Sequence, residues 1–150
     1  MTPSKTILDF IKGFEACRLN AYLPTLHDVP TIGWGATGKD IHLGLVWNQG
    51  QCDTRFYGDV MQVSTAVTGM LGSAVTTQNQ FDAMVSFAYN EGAQRLHDSF
   101  ILSFHLLGRD GIAAAYFMHY TKQKGIVLKG LVRRRKAEMA LYLKPQGVTP

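Results

Sequence analysis

Apolar residues recur at helical spacing in several stretches of the chain, and between the first two stretches that spacing is lost. Ile7, Phe10, Ile11 and Phe14 fall on one face of a helix, and Phe56, Val60, Val63 and Val67 repeat the pattern farther on. Thr2 followed by Pro3 supplies a cap and a first-turn residue, so the first helix is expected to start there and run to about Cys17. Asn48 with Gln51 three residues later has the form of a capping box, which starts a second helix that reaches about Leu71. Thr77 with Gln80 repeats the device ahead of Phe81, Met84, Val85 and Ala88, and Asn90-Glu91-Gly92 closes that helix. Further helices are expected at about 98–107, 110–121 and 130–143, separated by Gly108 and by Lys122 to Gly125. The tail from Pro145 to Pro150 is expected to fray.

Residues 20–46 read differently. Pro24 and Pro30 break any helix, Thr31-Ile32-Gly33-Trp34-Gly35 has the composition of a short strand entering a tight turn, and glycines 33, 35, 38 and 44 mark turns. The expected fold is therefore α+β, a small β-lobe beside a larger helical lobe with a cleft between them. At 150 residues, with 46% apolar and 17% charged, one folded domain covering residues 1–150 is expected.

The formal charge of +4 suits a polyanionic partner: nucleic acid, a membrane surface or a bacterial envelope. Basic residues bunch only at Arg133 to Lys136, and no aromatic-rich motif accompanies them, so a nucleic-acid partner is not expected. Cys17 and Cys52 match no zinc or redox spacing and read as small buried hydrophobes, and the five histidines share no ligand spacing. No metal or organic cofactor is implied. Residues 7–14 are too short and too interrupted for a signal peptide or a membrane span. Cytoplasmic accumulation without a stable membrane anchor is the expectation.

Glu15 is the residue with the most chemistry in its position. At the end of the first helix it would meet the partial negative charge of the last carbonyls, a setting that suits a proton donor. Across from it the β-layer would carry Asp28, Thr31 and Trp34. On the residues alone, Glu15 reads as readily as a surface carboxylate, Trp34 as a filler of the β-lobe, and Asn90 as a helix-ending asparagine.

Several motifs in one order change that balance. Glu15, Arg18-Leu19-Asn20-Ala21-Tyr22 and Pro30-Thr31-Ile32-Gly33-Trp34-Gly35, then Gln78 to Ala83, Phe87 to Gly92 and Gly130 to Arg135, resemble the phage-type lysozymes, endolysins related to the T4 and P22 phage enzymes. The resemblance implies hydrolysis of the β-1,4 bond between N-acetylmuramic acid and N-acetylglucosamine in peptidoglycan, by a monomer freed to the wall by a holin-type release factor. It assigns Glu15 as general acid, Thr31 as a holder of the attacking water, Arg134 as partner of the acid, and Trp34 and Asn90 as substrate contacts. On the residues alone Arg134 belongs instead to a solvated basic face, or pairs locally with Glu138. The usual aspartate would fall on Pro24, which has no proton-handling group. With the loop one residue longer than usual, spacing favours Thr25 and acid–base chemistry favours Asp28. Ala36 stands where the family commonly has histidine. Pro24 and Ala36 support the alternative, a catalytically degenerate lysozyme fold that binds peptidoglycan or a protein without cutting it.

Overall fold

The computed structural model describes residues 1–146. Helix α1 spans Lys5–Lys12, strand β1 Arg18–Tyr22 and strand β2 Thr31–Gly33. The long helix α2 (Gln49–Leu71) leads to α3 (Gln78–Glu91), α4 (Ala93–His97), α5 (Phe100–Leu106) and α6 (Asp110–Tyr116), the last extended by a 3₁₀ turn at Phe117–His119. A hairpin, β3 (Lys122–Gln123) and β4 (Ile126–Val127), precedes α7 (Lys129–Leu143). The α+β architecture is as expected, and no helix among the described residues is long and apolar enough to cross a membrane.

Both expected capping boxes form. The Asn48 side chain accepts from Gln51 N–H at 2.9 Å, and Thr77 accepts from Gln80 N–H at 3.2 Å. The first helix is shorter than its apolar spacing suggests. It starts at Ser4, whose Oγ accepts from Ile7 N–H and donates to Asp82 Oδ2 of α3 at 2.5 Å, a partner invisible in local sequence. It ends at Gly13, after which Phe14 and Glu15 N–H reach back only three residues, to Ile11 and Lys12 carbonyls. Those bonds tighten the chain into a turn, so Glu15 lies past the helix and not on it. The β3–β4 hairpin fills the stretch read from sequence as a bare separator. Lys124 and Gly125 both have positive φ, as a two-residue hairpin turn requires, but lysine is an unusual first residue there and gave no warning. Helix α4 was likewise not anticipated. Of the tail expected to fray, the Pro145 carbonyl accepts from Asn79, as does that of Lys144 just before it, and residues 147–150 lie outside the described residues.

α3 is buried on every side from Gln80 to Ala88, as expected of a helix enclosed by others. Around it Ile7 and Ile11 of α1, Phe56, Val60 and Val67 of α2, Leu96, Ile101, Phe117 and Tyr142 form one core. The β-lobe has its own much smaller core, Ile32, Ala36 and Ile41, with Ala21, Leu45 and Trp47 packed beside it. β1 and β2 pair antiparallel with a register irregularity, Arg18 opposite Gly33 and Tyr22 opposite Thr31. The hairpin thus begins two residues after Cys17's neighbour Ala16 and ends on the Gly33-Trp34-Gly35 turn, which brings that turn back to Glu15.

Candidate active site

Glu15 sits where the turn after α1, the Gly33–Gly35 turn and α7 meet. Its Oε1 accepts from Arg134 Nη1 at 2.6 Å, and its side chain is 22% exposed against 4% for Arg134. Its Oε2 lies on the other side, 3.6 Å from where a Cβ on Gly35 would stand. Gly35 has φ +96°, so only glycine takes this turn without strain, and the carboxylate lies within van der Waals range of that turn. The charge nearest Glu15 is thus a guanidinium, in place of the helix-end carbonyls that sequence suggested.

Arg134 is held from several directions. Its Nε donates to Glu138 Oε1 at 3.1 Å, its Nη2 donates to the Ser86 carbonyl at 3.2 Å, and its guanidinium lies over the Phe14 ring. The two readings open in the sequence, a reach to Glu15 and a local pair with Glu138, are both realised. The pair is no solvated face, because Glu138 and Arg135 are fully buried. Arg135 Nη1 lies 3.0 Å from Glu138 Oε2, its Nη2 donates to Asn90 Oδ1, and its guanidinium caps the Phe87 ring. Burial pushes the Glu138 carboxyl above the usual range while Arg135 and Arg134 pull it back, and burial lowers Arg135. Two of the four bunched basic residues are therefore turned inward, which removes half of the only basic cluster from the surface.

Asn90, Glu15 and Arg134 share a cavity of about 300 Å³, walled also by Phe14, Leu128 and Leu131. On the far side of Gly35 a second hollow of about 410 Å³ is lined by Thr37, Arg55, Asp59, Gln62 and Tyr89. Consecutive residues of α3, Tyr89 and Asn90, thus line one hollow each, and the Glu15–Gly35 contact lies between them. Tyr89 donates to the Trp34 carbonyl at 2.9 Å, tying the β-lobe turn to α3, and burial, with the Glu15 and Asp59 charges, keeps its hydroxyl protonated well beyond the ordinary range.

The Trp34 indole points away from both hollows. Its Nε1 donates to Asp53 Oδ1 at 2.7 Å, Lys12 Nζ stands 4.8 Å over the ring, and Phe56 packs against it. Lys12 and Trp34 together hold the Asp53 carboxyl below its ordinary range. Thr31 is buried, its hydroxyl donating to the Val29 carbonyl at 3.1 Å. Thr25 is exposed and Asp28 half-buried in the loop between the strands, where Asp28 N–H donates to the Thr25 carbonyl. None of Thr25, Asp28 and Thr31 lines either hollow. Ala36 is a β-lobe core residue whose backbone pairs with Ile32. Cys17 is half-buried and Cys52 buried; burial, with Cys17 beside it, pushes the Cys52 thiol up to about 11, which leaves it inert.

Sequence reasoning missed Ser86, Arg135 and Glu138 as parts of the site, and Arg55, which joins Asp40, Asp59 and the Thr37 carbonyl. The i, i+3 and i, i+4 spacing of Arg135 and Arg134 to Glu138 was the available signal, but spacing does not say which face is buried.

A family model described as phage lysozyme matches residues 12–138. The endolysin of Lactococcus phage c2 is 37% identical over 146 residues, covering 97% of this chain and 62% of its own length. The endolysin of Bacillus phage PZA is 40% identical over 144 residues, covering 95% of this chain and 55% of its own. This chain therefore spans little more than half the length of those relatives. Among solved structures, the muramidase domain of SpmX from Asticaccaulis excentricus superposes with a TM-score of 0.85 at 32% identity, over 95% of this chain and 97% of that one.

Proposed function

This chain belongs to the phage lysozyme family, and from that premise we propose that it is a muramidase, a glycoside hydrolase that cuts the β-1,4 bond between N-acetylmuramic acid and N-acetylglucosamine in peptidoglycan. The observation that carries this reading is the split environment of Glu15: one oxygen bound by Arg134 and the other turned to the bare backbone at Gly35, between two hollows. That asymmetry suits a general acid. The oxygen bound to a guanidinium cannot carry a proton toward it, so the proton rides on Oε2 and is delivered to the glycosidic oxygen as the bond takes on oxocarbenium character.

Water then attacks from the opposite face of the ring. From the motif resemblance, and although none of the three lines either hollow, we assign Asp28 as the group that accepts its proton and Thr31 as a group that helps hold it, with Thr25 in reserve as the residue at the family spacing. Asn90 contacts the sugar in the hollow it shares with Glu15, and Trp34 acts by shaping the turn through its carbonyl. The 150 residues act as one muramidase unit and as a monomer, freed to the wall by a holin-type partner.

Glu15→Gln keeps size and hydrogen-bonding shape and removes the transferable proton. Turbidity clearing of permeabilised bacteria, with reducing ends counted in parallel, is expected to fall by roughly 10²- to 10⁴-fold. Undiminished clearing would remove Glu15 from its role and the muramidase reading with it. Anhydromuramyl products in place of reducing ends would instead make the enzyme a lytic transglycosylase.

A further inference from the structure

One buried carboxylate is joined, through two arginines, to Glu15 and Asn90 of the Glu15 hollow, and nothing in the reaction as described uses it. Glu138 is fully buried on α7. Its Oε1 accepts from Ser86 Oγ at 2.7 Å and from Arg134 Nε at 3.1 Å, and its Oε2 pairs with Arg135 Nη1 at 3.0 Å. Each arginine then sends one other nitrogen outward, Arg134 Nη1 to Glu15 Oε1 and Arg135 Nη2 to Asn90 Oδ1. A carboxylate at the root and two planar forks diverging from it form one rigid bracket whose two tips are the acid and the polar residue beside it.

The bracket has too few partners to be explained by fold stability alone. Among the described residues, Arg135 Nε is buried without a hydrogen bond, and the Arg135–Glu138 pair, though close, is not aligned for one. A buried ion pair left partly unsatisfied is a poor stabiliser, since well-packed apolar side chains of similar volume commonly do as well or better. What apolar side chains cannot do is fix the direction of two guanidinium groups. The charge balance matters as well: Glu138 shares one negative charge between two arginines, which limits the positive field that Arg134 exerts on Glu15.

We propose that Glu138 is a positioning residue of the reaction, setting through Arg134 the orientation of Glu15 and through Arg135 the placement of Asn90. This rests on the reading of Glu15 as the acid. With the carboxylate removed, both guanidinium groups lose their common anchor, so the loss falls on kcat, through a misdirected Glu15, and not on KM alone.

The test uses Glu138→Gln and Ser86→Ala in the full chain, with initial rates of purified peptidoglycan solubilisation followed across substrate concentration. The fraction folded is fixed by near-UV circular dichroism at a temperature below both unfolding transitions. Glu138→Gln is expected to lower kcat per folded molecule roughly tenfold to a hundredfold, as misplaced catalytic groups do, with KM within a few-fold of the parent. Ser86→Ala removes a hydroxyl from the bracket at almost no volume change, and folds where a buried glutamine does not. Its expected result is a smaller loss of kcat with KM likewise held. Unchanged kcat in the folded fraction of either variant, or a loss carried by KM alone, would overturn the proposal, and would do so even where Glu15→Gln is inactive. Activity persisting in Glu15→Gln would instead strike the reading on which it rests.

Discussion

The helical side and the β-lobe side of Glu15, its two walls, are built on opposite principles. On the α3 and α7 side the functional groups are roots of a packed core: Ser86, Arg134, Arg135 and Glu138 are all buried, and the aromatic rings of Phe14 and Phe87 lie under the guanidinium groups. On the β-lobe side three buried residues make the whole core, and the loop that carries Thr25 and Asp28 is mostly exposed, with Leu26 at 89% and Val29 at 61%. A proton donor must be held at one angle, which a rigid, desolvated bracket supplies. The role proposed for the opposite wall is only to hold a water, which a loop of varied length can do. The difference teaches where substitution is expected to be costly and where it is expected to be borne.

The sharpest contrast lies between the ion pairs of the two walls. Arg135→Met leaves Glu138 buried with one guanidinium fewer, and a buried charge stripped of a partner costs about 3–5 kcal/mol. Urea unfolding should show it as a large drop in midpoint. At the edge of the β-lobe, Arg55 of α2 pairs with Asp40, whose carboxyl is held below its ordinary range by backbone N–H and Arg55 and lies in solvent. Asp40→Asn is expected to leave the urea midpoint unresolved from that of the parent. Equal losses at the two sites would mean that the walls do not differ in this way.

Next in size is the loop's own chemistry. With Asp28 as the proton acceptor, Asp28→Asn should lower the rate of peptidoglycan cleavage by about 10²-fold, with the unfolding midpoint unchanged because the side chain is only half-buried. Thr25→Ala should stay within a few-fold of the parent. The reverse order would transfer the role to Thr25 and favour motif spacing over proton chemistry.

That ambiguity marks the limit of what could be read from the chain. Helices α2 and α3 were legible because their start signals are local: Asn48 and Gln51, or Thr77 and Gln80, satisfy each other without outside help. The ends of the first helix were not, because Ser4 is anchored by Asp82, 78 residues away, and because Gly13 lets the chain tighten before Glu15. Glu15 and Arg134 were identified through ordered motifs, and the structure joins them at 2.6 Å. Arg135 and Glu138 were invisible as site residues, since only the packing of α7 on α3 shows that those charges point inward. Trp34 shows the converse: an aromatic in a signature motif looks like a sugar platform, yet its indole is bound by Asp53 and covered by Lys12.

A smaller effect separates the two cores. Ile41 belongs to the β-lobe's three-residue cluster, so Ile41→Val should cost about 0.5–1.5 kcal/mol, against about 3–5 kcal/mol for Phe87→Ala beneath Arg135. The informative readout is activity at a temperature where both variants are folded. Phe87→Ala should slow catalysis by loosening the guanidinium it supports, whereas Ile41→Val should lower stability alone. A slower but equally stable Ile41→Val would show that the β-lobe core is also tuned for the reaction.

The smallest expected effect is a pH dependence confined to the helical lobe. His105 is buried, with Nδ1 2.6 Å from the Tyr142 hydroxyl and Nε2 2.8 Å from Thr76 Oγ1. Burial lowers its pKa below the usual histidine value, and the nearby Asp110 only partly offsets this. The folded chain therefore resists a proton that the unfolded chain accepts below about pH 6.5. Stability contributed by neutral His105 is complete above that value and declines as pH falls toward the lower folded pKa, because the unfolded state then binds more protons. The urea midpoint should accordingly drop between about pH 7.5 and pH 5.5, and His105→Gln, which can still meet Tyr142 and Thr76, should flatten that part of the decline. Other titrating groups contribute equally to both proteins, so the difference between the two slopes isolates the histidine, and identical slopes would mean that its neutral form gives the fold no pH-dependent stability.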